Sequence, residues 1–117
     1  MPSRPSQFAA PKIRGFPLGE NYRDTFQVRD GAIAVSYDKY EQFGERFGHL
    51  FYKAPFKAYR FRMEYRFLSD HPADTPAWAI ANSGVMIFSQ DPRTMAVADS
   101  FPVSVEAQLL GPAPGQT

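Results

Sequence analysis

Glu106 and Gln108 stand two residues apart in the run Val103-Ser104-Val105-Glu106-Ala107-Gln108-Leu109-Leu110. The run alternates, so Val103, Val105, Ala107 and Leu109 take one face of a strand and Ser104, Glu106 and Gln108 take the other. Burial of Val105 and Leu109 would force Glu106 and Gln108 to the opposite side. Asn82 opens an earlier apolar run, Asn82-Ser83-Gly84-Val85-Met86-Ile87-Phe88, at the point where a loop enters a strand. A sugar presents hydroxyls that need both acceptors and donors, and a carboxylate with two amides supplies both. The same spacing also describes the ordinary solvent-facing side of a half-buried strand. The pattern alone does not choose between them.

Other chemistry is thin. The chain contains no phosphate loop, dinucleotide fingerprint, G-x-S-x-G elbow or paired-histidine zinc motif. Its two histidines are His49 and His71. His71 sits beside Pro72 in a loop. His49 shares a strand face with Phe47 and Phe51, which marks a packed histidine with a satisfied ring nitrogen. Trp78 has two readings, a core residue or a platform on which a sugar stacks. No cofactor and no metal-ligand cluster is called for.

The elements that must position these residues are short. Residues 1–20 carry Pro2, Pro5, Pro11, Pro17, Gly15 and Gly19, so this segment is expected to be irregular. Residues 23–28 read as a strand, Asp30-Gly31 as a tight turn and residues 32–37 as the returning strand. A polar loop covers 38–46. A second hairpin is expected from residues 47–53, ended by Pro55, and residues 59–68. In the latter, Phe61, Met63, Tyr65 and Phe67 take one face, and Arg60, Arg62, Glu64 and Arg66 the other. That polar face is either a cross-strand charge ladder or a ligand-facing surface. Long loops cover 69–77, ahead of the strand at 82–88, and 89–100, between that strand and the one at 101–110.

Composition narrows the class. Eleven Phe, six Tyr and one Trp among 117 residues, spread over alternating runs, favour an aromatic-rich β-sandwich in a single domain. Eleven prolines and eight glycines leave no room for a long helix. A formal charge of +1 without a basic stripe gives no sign of a nucleic-acid partner. Without cysteine there is no disulfide framework, and the compartment stays open. No apolar run reaches membrane-spanning length, and residues 1–7 lack the apolar core of a signal peptide.

Five stretches in order carry a resemblance. They are Asn21-Tyr22-Arg23-Asp24-Thr25-Phe26-Gln27-Val28-Arg29-Asp30-Gly31; Phe47-Gly48-His49-Leu50-Phe51-Tyr52-Lys53; Tyr59-Arg60-Phe61-Arg62-Met63-Glu64-Tyr65-Arg66-Phe67; Asn82-Ser83-Gly84-Val85-Met86; and the run from Phe101 to Leu110. Together they resemble the 3-keto-disaccharide hydrolase domain family. The resemblance implies an antiparallel jelly-roll β-sandwich of the concanavalin A-like lectin/glucanase type. It places the domain at 21–110, flanked by irregular segments at 1–20 and 111–117. It also implies a carbohydrate ligand and suggests an extracytoplasmic location.

The implied chemistry starts from a keto group at C3, which acidifies the neighbouring C–H. Such a route needs a base, a stabiliser for the developing oxyanion and an acid for the leaving group. The resemblance makes Glu106 the candidate acid/base, with Asn82 and Gln108 binding hydroxyls and Arg62 or Arg66 stabilising the oxyanion. Two departures stand out, because Ala81 and Phe88 occupy positions where close relatives often show Arg and His. Relatives also begin earlier and continue further, so the chain reads as an incomplete domain with unpaired strand edges, prone to self-association. It is not expected to cleave a 3-keto-glycoside unaided, even with histidine at position 88. The alternative is a carbohydrate-binding jelly roll without catalysis.

Overall fold

The computed structural model describes residues 9–68 and 71–111. The described residues form an all-β protein of six strands, all paired antiparallel, with three single-turn 3₁₀ segments and no α-helix. None of them forms a helix long and apolar enough to cross a membrane. The strands pair as three two-stranded ribbons, β1 (Ala9–Ile13) with β4 (Gly48–Tyr52), β2 (Phe26–Arg29) with β3 (Ala32–Val35), and β5 (Asn82–Ile87) with β6 (Val105–Leu110). The architecture is consistent with a concanavalin A-like fold. A full sandwich of two facing sheets is not seen among the described residues.

The β2–β3 hairpin follows from its turn. Arg29 pairs with Ala32, leaving Asp30 (φ 51°) and Gly31 (φ 78°) as a two-residue loop with both φ positive. That is the combination a right-twisted hairpin favours. The first strand starts later than expected, at Phe26, because residues Tyr22–Asp24 close a 3₁₀ turn. The Asn21 side chain then fixes the entry, accepting from the Phe26 N–H (3.0 Å) and donating to the Phe26 carbonyl (2.8 Å).

β1 corrects the expectation of an irregular start. Pro11 argued against a strand there, yet among the described residues β1 pairs on one side only, so a missing N–H on the other side costs no ladder bond. The expected hairpin of 47–53 with 59–68 is also corrected, because β4 takes β1 as its partner. Residues 59–68 form no strand despite their strict alternation. Alternation makes a segment extended, but a ladder also needs a partner. Here Phe61, Met63 and Tyr65 remain exposed alongside their polar neighbours.

The core is small and lies where the first two ribbons meet. Ile13 is 0% exposed, Phe26 6% and Phe43 5%. Gly48 lets Phe26 cross β4: a Cβ there would sit 3.2 Å from Phe26 Cζ and 3.5 Å from Ile13 Cγ1. An aromatic chain leads outward, with Phe43 edge-on to Phe47 at 5.3 Å and Phe47 against both Phe101 (5.1 Å) and Trp78 (5.2 Å). These contacts join the approaches to β5 and β6 to the core. The Asp74 carboxylate adds a clasp, accepting from the N–H groups of Phe43 (2.6 Å) and Gly44 (3.0 Å).

The long loop between β5 and β6 is tied to the end of β1. Lys12, 1% exposed, donates to the carbonyls of Ile13 and Val97, both at 3.2 Å. Arg14 reaches the Ala98 carbonyl at 3.3 Å, and the Gly15 N–H meets the Val97 carbonyl at 2.7 Å. Burial pushes the Lys12 ammonium pKa down, with Asp99 opposing.

His49 pairs with Lys12 across β1–β4 and packs edge-on to Phe101 at 5.3 Å. Packing is as expected, and Nδ1 is buried with no hydrogen-bond partner. Burial, aided by the Lys12 charge, pushes the imidazole pKa from 6.5 down to about 4. Protonation therefore favours the unfolded chain. The stability that neutral His49 provides is complete above pH 6.5 and drains as pH falls towards about 4. The loss across that window is on the order of 3 kcal/mol. Urea titrations at pH 7 and pH 4.5 should show it, and His49→Phe should flatten the slope. An unchanged slope in the variant would assign the effect to other groups.

Candidate functional site

The β5–β6 register decides which side chains share a face. Asn82 pairs with Leu110, Gly84 with Gln108 and Met86 with Glu106. Directly paired residues point the same way, so Asn82, Gly84, Met86, Glu106, Gln108 and Leu110 line one face. Ser83, Val85, Ile87, Val105, Ala107 and Leu109 line the other. The pairing thus places Asn82, Glu106 and Gln108 on one face, with Glu106 opposite Met86 and Asn82 at the far end opposite Leu110. The expected burial of the second face does not occur: Val105 is 57% exposed and Leu109 half-buried, because no described layer covers this ribbon.

The polar side chains engage one another diagonally. Gln108 Nε2 donates to Asn82 Oδ1, and Asn82 Nδ2 donates to the Trp78 carbonyl at 2.6 Å. This relay leaves Gln108 Oε1 and one N–H of each amide for a ligand. Glu106 lies across Gly84. A Cβ at position 84 would meet its Oε2 and lie 2.7 Å from its Cγ. Gly84 was not among the residues singled out for function. Its signal was a glycine inside a strand, which often marks a close approach of another group.

Arg62 and Arg66 are exposed and outside any strand, so they do not stand on a strand face turned to a cleft as expected. Their segment does reach the ribbon. Phe67 packs at its end, where a Cβ on Gly111 would lie 2.8 Å from Phe67 Cδ2 and 2.9 Å from Ala81 Cβ. Ala81 (φ 51°) and Phe88 (φ 52°) flank β5 in left-handed conformations. Phe88, 85% exposed, lies just past the end of β5 and does not continue its alternation. Among the described residues no three His, Asp or Glu side chains gather in a way that could hold a metal ion.

An antiparallel all-β chain with a carboxylate and two amides on one ribbon face defines a class, not yet a family. Residues 11–116, most of the chain, match the 3-keto-alpha-glucoside-1,2-lyase-like domain. The chain belongs to that family. No curated protein and no solved structure matches it.

Proposed function

We propose that the β5–β6 face binds 3-keto-glycosides and that Glu106 takes the C2 proton, the first step of their cleavage, while release of the aglycone stays slow in this chain because Phe88 cannot donate a proton. The observation that carries this is the gathering of Asn82, Glu106 and Gln108 on one face of a chain belonging to this family. In the proposed reaction the C3 ketone acidifies the C2–H. Glu106 takes that proton, the electron pair passes into the enolate, and the enolate expels the aglycone from C1. The aglycone leaves as an alcohol after gaining a proton, and water adds across the resulting C1–C2 double bond. Asn82 and Gln108 hold hydroxyls.

The test is methyl 3-keto-α-glucopyranoside in deuterated water, followed by loss of the C2–H signal and by methanol release. Exchange at C2 supports the reading even where release is slow. Saturable binding with neither exchange nor release supports the second reading, a carbohydrate-binding module. Phe88 favours that second reading, since an exposed phenylalanine beside β5 cannot shuttle protons. Absence of binding would refute both.

Gly84 tests the geometry. Its φ is not positive, so alanine suits the backbone and only the space above it matters. Gly84→Ala should displace Glu106 and lower C2 exchange by about 10²-fold with little change in stability. Equal exchange rates would show that Glu106 does not act from this position.

Among the described residues the ribbon has open edges, and Val103, Val105 and Leu110 are exposed on β6 and its approach. We expect the chain to self-associate through them. Sedimentation at rising concentration should show this, and a monomer at all concentrations would contradict it.

A further inference from the structure

Trp78 is more than half exposed, at 56%. It is not loosely held. It sits in the 3₁₀ turn Ala77–Ala79, closed by the Ala79 N–H to the Pro76 carbonyl at 2.9 Å. Its ring rests on Phe47 at 5.2 Å with the planes 31° apart, so one indole face is backed by the aromatic chain from the core. The Trp78 carbonyl accepts from Asn82 Nδ2 at 2.6 Å, and bond lengths keep the Trp78 Cα within about 5.4 Å of that nitrogen. Asn82 in turn accepts from Gln108. An exposed indole is thus carried by the turn whose carbonyl holds a pair of amides with free donors and acceptors.

We infer that Trp78 is the stacking wall of a pyranose subsite. Its outer indole face takes the C–H face of the sugar ring, while Asn82 and Gln108 bind hydroxyls at the rim. The inference rests on the reading of the Asn82–Gln108 face as sugar-binding. The chemistry favours a neutral sugar over the other flat ligand that stacks on tryptophan, a nucleotide base. The two amides carry no charge, and Glu106 on the same face repels phosphate.

Trp78 is the chain's single tryptophan, so its emission reports on this subsite alone. The full chain carrying Glu106→Gln, which is expected to bind without turnover, is titrated with methyl 3-keto-α-glucopyranoside and separately with AMP. The expected result is a saturable change in emission with the glycoside and none with AMP. Calorimetry then compares Trp78→Ala and Trp78→Phe in the same background. Alanine should weaken glycoside binding about tenfold, and phenylalanine, with a smaller ring, by less. Circular dichroism confirms that each variant folds. Glycoside binding of equal strength in Trp78→Ala, emission unmoved at saturating glycoside, or a response to AMP alone would overturn the inference. If Gln108→Ala weakens binding and Trp78→Ala does not, the subsite falls and the reading of the amide face stands. If Glu106→Gln leaves C2 exchange intact while Trp78→Ala still weakens binding, the catalytic reading falls and the subsite stands.

Discussion

Replacing Glu106 by glutamine should lower C2 exchange of a 3-keto-α-glucoside by about 10²–10⁴-fold, the usual cost of losing one general acid/base group. Glutamine has nearly the same shape and still lies across Gly84, so the bound sugar should stay where it is. It cannot accept a proton at neutral pH. The loss should therefore fall on the rate at saturation, with little change in affinity, which separates a chemical role from a binding one. Exchange is a better readout than aglycone release because it needs only the base. Release also needs a proton for the leaving group, and Phe88 cannot supply one. Measuring the C2–H signal decay of both chains at saturating glycoside decides the matter. Equal rates would remove Glu106 from the chemistry.

Glu106 and Gln108 could be placed on one face from the sequence alone because strand parity is a local property. Once 82–87 and 105–110 pair in the observed register, period two settles which side chains share a face, whether or not anything covers the ribbon. The Asp30-Gly31 turn was legible for a similar reason, since its backbone demand is met by the two residues themselves. Partners are not local, and there the sequence misleads. Residues 59–68 alternate more strictly than any true strand here, yet nothing among the described residues pairs with them. β1 looks broken by Pro11 but needs hydrogen bonds on one side only. Trp78 shows the same limit from another side, because its exposure depends on where Phe47 lies. The reach of Glu106 over Gly84 is likewise a diagonal contact that spacing along one strand cannot reveal.

Phe26→Ala should cost about 3–5 kcal/mol, the range found for truncating a buried phenylalanine. Phe26 is 6% exposed and pairs with Val35 in the hairpin, while its ring tip lies over Gly48 and beside Ile13. It is therefore the side chain that fastens β2–β3 to β1–β4. The cavity would open between two ribbons, where only small shifts can refill it, since Ile13 is already fully buried. Against a total stability of roughly 5–15 kcal/mol for a small domain, such a loss leaves a large unfolded fraction in mild denaturant. Phe88→Ala is the matched control. It removes the same atoms from a side chain 85% exposed and should change stability by less than about 0.5 kcal/mol. Urea unfolding of the two variants beside the parent chain provides the comparison. Similar midpoints for Phe26→Ala and the parent would mean that the hairpin is not held by this contact. A large loss in Phe88→Ala would mean that its exposed ring is covered, through association, in solution.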